Sequence, residues 1–203
     1  MSASLYPLFL NLQGRACVVI GGNEMAEGKV RDLLDAEAEI RLIAPDVTPQ
    51  IAEWSQVGKL HWLPRPYRRG DVADACLVVS IADAETNAQV FAEAEARRVF
   101  CNAVDDIPHC SGYASALVRR GPLQIAISTA GKSPALAQRL RKELEDRFGE
   151  EYGSWVQQLG ELRVRLFRKT MDSETRRKML HEQASASAFE TFRVARLRES
   201  HRS

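Results

Sequence analysis

Ala16-Cys17-Val18-Val19-Ile20-Gly21-Gly22-Asn23-Glu24-Met25-Ala26 is the stretch that decides the fold. Its first half is a short unbroken apolar run, as suits a central parallel strand covered on both faces. Its second half turns on Gly21 and Gly22 and enters a helical pattern from Met25 to about Ala36, with Val30, Leu33 and Leu34 on one face. Ile40-Arg41-Leu42-Ile43-Ala44 then reads as a second strand closed by Pro45. Strand, helix and strand fit within about 30 residues, the length of one dinucleotide-binding unit.

In such a unit glycines permit the tight turn, the close approach of backbone to pyrophosphate and the packing of helix on strand. Gly21 fits the turn and Ala26 is small enough for the packing, but Asn23 stands where a glycine is usual. Asn tolerates left-handed backbone angles, so the turn survives, while its side chain is expected to intrude where a phosphate would sit. Asp46 follows the glycines by about twenty residues, where a carboxylate accepts hydrogen bonds from the ribose and disfavours a 2′-phosphate. That favours NAD over NADP; the plainer reading of Asp46 is a turn residue ahead of the helix at Pro49.

Working outward, a helix is expected near Pro49–Gln56, strands near Lys59–Leu63 and Cys76–Ile81, a helix over Ala84–Arg98 and a strand over Val99–Val104. This alternation implies an α/β fold with a Rossmann-like, doubly wound parallel sheet over residues 1–112. After Gly112 two apolar segments, Tyr113–Val118 and Leu123–Ser128, flank Arg119-Arg120-Gly121-Pro122, a hairpin-like turn signal. Gly131, Ser133 and Pro134 read as a helix start, with Ser133 at the cap. Residues 113–150 are therefore read as a small second unit, a strand pair plus a helix, and 151–203 as a C-terminal helical domain with apolar residues spaced by three or four. Ala184–Ala188 reads as a helix break or a frayed segment, and roughly the final dozen residues are expected to lack order.

Composition excludes several classes. Of 203 residues, 45% are hydrophobic and 27% charged, and 28 Lys and Arg against 27 Asp and Glu leave a net charge of +1. That balance gives no sign of nucleic acid as a partner. The longest apolar runs are strand-length and the N-terminus lacks a signal-peptide pattern, so no membrane span and a cytoplasmic location are expected. Cys17, Cys76, Cys101 and Cys110 are too scattered for a zinc site and read as reduced thiols. His61, His181 and His201 share no ligand spacing with them, so no protein-held metal is expected.

Two segments carry more than a fold: Cys101-Asn102-Ala103-Val104-Asp105-Asp106, and Ile127-Ser128-Thr129-Ala130-Gly131-Lys132-Ser133-Pro134-Ala135-Leu136-Ala137. With Leu5-Tyr6-Pro7-Leu8-Phe9-Leu10, Asn87 and the arginines 163, 165, 176 and 177, they resemble the precorrin-2 dehydrogenase and sirohydrochlorin ferrochelatase family, the siroheme synthase N-terminal module. The resemblance runs over roughly residues 5–180 and rests most on the Gly-Lys-Ser-Pro segment. It implies oxidation of precorrin-2 to sirohydrochlorin with NAD as hydride acceptor, with ferrous iron as a further substrate in some members. By the same resemblance the cofactor lies against Gly21, Gly22, Asn23, Glu24, Met25, Pro45 and Asp46, Asp105 is the acid-base residue, and residues 113–150 are the dimerisation unit of a homodimer.

A carboxylate at the carboxyl end of a strand lies where open α/β sheets place ligands, and it can take the proton released with the hydride. Asp106 is the neighbouring fallback and reads as a solvated turn residue; His109 is a candidate proton carrier. Arg119, Arg120, Lys132 and Ser133 are the expected partners of the substrate's carboxylates, although each taken singly reads as a surface residue. Thr129 remains unassigned. Asn23, Gly28 and Ile81 depart from the family pattern on the cofactor side, which keeps two alternatives open: a non-catalytic nucleotide- or tetrapyrrole-binding module, and a chelatase with a vestigial NAD pocket.

Overall fold

The computed structural model describes residues 5–200. The chain divides between Ala114 and Ser115 into two compact units. In the first, β1 (Ala16–Ile20), β2 (Glu39–Ile43), β3 (His61–Leu63), β4 (Leu77–Ser80) and β5 (Phe100–Ala103) alternate with α1 (Glu24–Asp35), α2 (Pro49–Gln56) and α3 (Ala84–Arg97). The strands form one parallel sheet in the order β3-β2-β1-β4-β5, with Val19 of β1 level with Leu42 of β2 and Val79 of β4. The doubly wound reading is therefore correct. Its strand order reverses beside β1, between β2 and β4, which places the ligand crevice at the carboxyl end of β1.

Alternate residues of the strands face opposite sides of the sheet and feed two cores. Cys17, Val19, Ile40 and Leu42 pack with Val30 and Leu33 of α1 and Ile51 of α2, while Val18, Ile20, Ile43 and Val78 pack with Val90 and Ala94 of α3. Burial on this scale is worth about 1.5–3 kcal/mol for each large aliphatic side chain. Caps set the helix starts: the side chains of Asn23, Thr48 and Asp83 each accept a hydrogen bond from the backbone N–H of the third helical residue.

No helix covers the crossover from β3 to β4, and side chains hold it instead. Arg65 grips both oxygens of Asp71 at 2.7 Å, and Arg41 donates to the carbonyls of Asp71 and Ala73 at 2.8 and 3.0 Å. Glu93, on α3 and nearly buried, accepts from the Tyr67 hydroxyl at 2.5 Å, from the Gly70 N–H and from Arg97 Nε at 2.8 Å. Burial by itself raises the Glu93 pKa, but these three donors outweigh it and leave the carboxyl below its usual range.

The second unit opens with an antiparallel pair, β6 (Ala116–Arg120) and β7 (Leu123–Ile127), followed by α4 (Pro134–Arg147), α5 (Glu151–Phe167), α6 (Ser173–Gln183) and α7 (Ala186–Ser200). The hairpin turn is shorter than the sequence suggested: Arg119 and Arg120 lie in β6, and Gly121-Pro122 alone make the turn, with Gly121 at φ 53. The helices from residue 151 onward do not form a body of their own, because α5 packs on both strands of the pair. A Cβ on Gly153 would lie 3.0 Å from the Arg120 carbonyl, so α5 meets the end of β6 backbone to backbone. The break falls on Ala184 and Ser185 alone, between α6 and α7, and Ala186–Ala188 already belong to α7. The expected loss of order near the C-terminus is corrected as far as residue 200, since α7 continues to Ser200, and residues 201–203 lie outside those described. Among the described residues no helix is long and apolar enough to cross a membrane.

Candidate functional site

The first group of residues gathers where β1 ends. Gly21 has φ 112, and a Cβ there would lie 2.4 Å from the Ile81 carbonyl oxygen; at Gly22 it would lie 2.1 Å from the Asp46 carbonyl oxygen. No other residue type fits either position without displacing backbone. Hydrogen bonds from Gly21 N to Ile43 O and from Thr48 N to Gly22 O, at 3.0 and 2.9 Å, draw the turn and the loop after β2 together. Glu24 and Met25 open α1, where helix geometry leaves N–H groups aimed outward without an intrahelical partner. Pro45 and Asp46 are exposed on the loop facing this turn.

Asn23 corrects the sequence reading. Its backbone is extended, at φ −80, and its Oδ1 accepts from Ala26 N at 3.1 Å. The side chain is turned back as a helix cap, and the left-handed conformation falls on Gly21 instead. Gly28 has open space at its Cβ position, so that departure removes a side chain without altering the turn. The glycine cradle and the unpaired helix N–H groups fit the pyrophosphate of a dinucleotide.

The second group follows β5 at the same carboxyl edge of the sheet. Asp105 is exposed and left-handed, at φ 59, on the turn between β5 and a 3-10 turn over Ile107–His109. Asp106 is not the solvated turn residue expected: its Oδ2 lies 2.9 Å from His109 Nδ1 and 3.3 Å from Asn87 Nδ2. Asn87 is 3% exposed and its Oδ1 accepts from the Ser80 hydroxyl at 2.7 Å. His109 rests edge-on against Phe91, with ring centroids 5.7 Å apart. Sequence reasoning matched Asn87 in position but gave it no partner.

Two of the thiols are held protonated by burial. Burial, followed by the neighbouring Cys76, pushes Cys17 to about 12, and burial likewise pushes Cys101 to about 12. Neither forms thiolate at neutral pH. Among the described residues no group of three or more His, Cys, Asp or Glu side chains is gathered around a common metal position.

The remaining candidates lie in the second unit. Ser133 caps α4 by accepting from Leu136 N at 3.2 Å, and Pro134 is the first helical residue. Thr129 Oγ1 accepts from Ser133 N at 3.1 Å across the left-handed Ala130 and Gly131, which gives Thr129 a structural place. Lys132 is exposed beside this helix start. Arg120 is committed elsewhere: Nε and Nη2 donate to the carbonyls of Phe148 and Glu145 at 2.8 and 3.1 Å, closing the C-terminal end of α4. Arg119 lies beside it in β6, half-buried. Arg163 and Arg176 stack on the Phe167 ring, 5.2 and 4.6 Å from its centre.

A five-stranded parallel sheet with a double-glycine turn at its switch point and acidic groups along its carboxyl edge defines a dinucleotide-binding α/β protein. The family model described as "Putative NAD(P)-binding" matches residues 8–116, and one described as "Sirohaem biosynthesis protein central" matches residues 120–147. The chain belongs to this NAD(P)-binding family. It is 39% identical over 158 residues to "Siroheme synthase 1" of Serratia proteamaculans, covering 77% of this chain and 33% of that protein. With "Siroheme synthase 2" of Yersinia pseudotuberculosis it shares 38% over 162 residues, 79% of this chain and 34% of the relative. The chain thus spans about a third of the length of the curated relatives it matches. Among solved structures, "SirC, precorrin-2 dehydrogenase" superposes with a TM-score of 0.74 at 25% identity, covering 93% of this chain and 96% of that one.

Proposed function

We propose that this chain oxidises precorrin-2 to sirohydrochlorin with NAD, and that Asp105 takes the proton. The observation that carries this reading is the exposed Asp105 carboxylate on the same sheet edge as the Gly21-Gly22 turn. NAD, when bound, supplies the hydride acceptor. Gly21, Gly22 and the first-turn N–H groups of Glu24 and Met25 hold its pyrophosphate, with Asn23 fixing the helix start behind them. Pro45 and Asp46 flank the ribose, where the Asp46 carboxylate accepts from its hydroxyls and repels a 2′-phosphate. The similarity to "SirC, precorrin-2 dehydrogenase" over almost the whole length of both chains supports the substrate class.

Loss of hydride from a reduced tetrapyrrole leaves a cation that sheds a proton, and a carboxylate beside the macrocycle accepts it. Asp105 is exposed, so its carboxylate is open to a bound macrocycle. Within the second unit, Lys132 and Ser133 at the start of α4 and Arg119 in β6 are the residue types suited to carboxylates, and the Arg120 guanidinium serves the hairpin and α4. Ferrous iron enters only as a second substrate, with Asp105 accepting the pyrrole protons. The capped Asn23 and the open space at Gly28 remove two of the three grounds for reading the phosphate loop as damaged, which leaves Ile81 as the departure that still favours a purely binding module.

Anaerobic turnover of precorrin-2, followed as NADH formation, tests the reading in wild type and Asp105→Asn. Formation of NADH that falls by a factor of about 100 or more in the variant is the expected result. No NADH at any NAD concentration, with iron insertion retained, would instead establish a chelatase. Exposed apolar side chains in the second unit, among them Phe167, Val164 and Leu136, support a homodimer.

A further inference from the structure

A non-glycine residue held at positive φ persists only when its surroundings over-determine it, and Asp105 at φ 59 is such a residue. Its turn is clamped on both sides. Upstream, Val104 N donates to Ser80 O at 2.9 Å and Asp106 N donates to Ala103 O at 3.2 Å. Downstream, the Cys110 thiol donates to Ala103 O at 3.0 Å, and the Asp106 carboxylate is gripped by Asn87 and His109. The grip reaches deep into the first unit. Ser80, 0% exposed on β4, donates its hydroxyl to Asn87 Oδ1 at 2.7 Å, and the same amide spends its Nδ2 on Asp106.

The carboxylate settles which way the amide faces. Turned over, Asn87 would set its oxygen against the Asp106 oxygen, so only the present orientation satisfies all three side chains. A buried amide with both ends engaged is rigid, and its outer end stops at the residue that follows Asp105.

We infer that Asn87 is a positioning residue for Asp105: through Asp106 it fixes the left-handed turn and so the direction in which the Asp105 carboxylate faces the substrate. The inference rests on the proton-transfer role proposed for Asp105. It separates the two acidic neighbours by task, with Asp105 facing the substrate and Asp106 anchoring the turn. His109 completes the anchor by filling the remaining side of the same oxygen.

The test uses the full chain with Asn87→Ala, Asp106→Ala, Asp106→Asn and the double variant Asn87→Asp with Asp106→Asn. Turnover of precorrin-2 is measured alongside the backbone carbon and nitrogen NMR shifts of Asp105, which report its φ directly. In Asn87→Ala and Asp106→Ala, kcat is expected to fall on the order of tenfold while KM for NAD holds, because the carboxylate loses its orientation and the glycine turn does not. The Asp105 shifts move out of the left-handed range in both. Asp106→Asn keeps an oxygen for the Asn87 amide and stays within about threefold of wild type. The double variant exchanges amide and carboxylate, remakes the bond and recovers kcat.

Wild-type kcat and unchanged Asp105 shifts in Asn87→Ala would overturn the inference. So would a loss in which NAD affinity and melting temperature collapse together and the double variant recovers nothing, since that pattern marks a purely structural amide. Asp105→Asn run in parallel keeps the two ideas apart. If it turns over normally the proton-transfer role fails, and the NMR shifts still decide whether Asn87 sets the turn.

Discussion

Gly22 sets how closely the loop after β2 approaches the first turn of α1. A methyl group there meets the Asp46 carbonyl at 2.1 Å and Val47 Cγ1 at 2.8 Å, so Gly22→Ala must push that loop away. The expected cost is about 1–3 kcal/mol in urea unfolding, with NAD affinity lowered at least tenfold because Asp46 moves with the loop. Asn23→Gly makes the opposite point. A glycine at an N-cap costs only a few tenths of a kcal/mol, and NAD affinity by titration should stay within about threefold of wild type. A large gain in affinity would mean that Asn23 does obstruct phosphate. This is also where legibility in the sequence ran out. The spacing offered Gly21, Gly22 and Asp46 and the family resemblance offered Asp105, but neither says which way a side chain turns, so Asn23 read as an intruder and Asp106 as solvated. The Asn87–Asp106 bond joins residues far apart in the chain, and no periodicity encodes it.

At the scale of elements, alternation of apolar runs exposed every strand and α-helix of the first unit but not the 3-10 turn over Ile107–His109, because a parallel strand covered on both faces is a continuous apolar run and a single short turn is not. The crossover from β3 to β4 left no such trace, since polar side chains hold it. Glu93 and Asp71 both sit below the usual carboxylate range: Glu93 against its own burial, through Tyr67, Gly70 and Arg97, and Asp71 chiefly through Arg65. A depressed folded-state pKa means stability that is complete above the unfolded value near 4 and lost as pH falls through the lower folded value. Glu93→Gln is therefore expected to be about 1–3 kcal/mol less stable than wild type at pH 7, with the gap closing below about pH 4. A gap that persists unchanged in acid would assign the loss to packing rather than to the charge. Arg120 belongs to the same scale. Sequence spacing offered it as a substrate ligand, but its guanidinium closes the last carbonyls of α4, so Arg120→Ala should lower the melting temperature while Lys132→Ala leaves it and raises KM for precorrin-2.

Over the whole molecule the apolar cores are unevenly shared. Both clusters of buried side chains belong to the first unit, whereas among the described residues of the second the buried apolar side chains are Val118, Ala137, Leu166 and Phe189. An aromatic group of Phe148, Tyr152, Trp155 and Phe189 adds to that thin core, with Tyr152 and Phe189 ring centres 4.2 Å apart. A body of this size with so little buried is marginal alone, and Val164 and Phe167 remain more than half exposed, at 52% and 57%. If a second copy covers such side chains, dissociation and unfolding of this unit are linked, and its stability follows protein concentration by mass action. Calorimetry should then resolve two transitions. The lower is expected to rise by about 5 °C or more for a hundredfold increase in protein concentration, while the upper, belonging to the Rossmann-like unit, responds to NAD and not to concentration. A lower transition that ignores concentration would sink the homodimer, and it would leave the second unit stabilised by α5 packing on the hairpin and by the aromatic group alone.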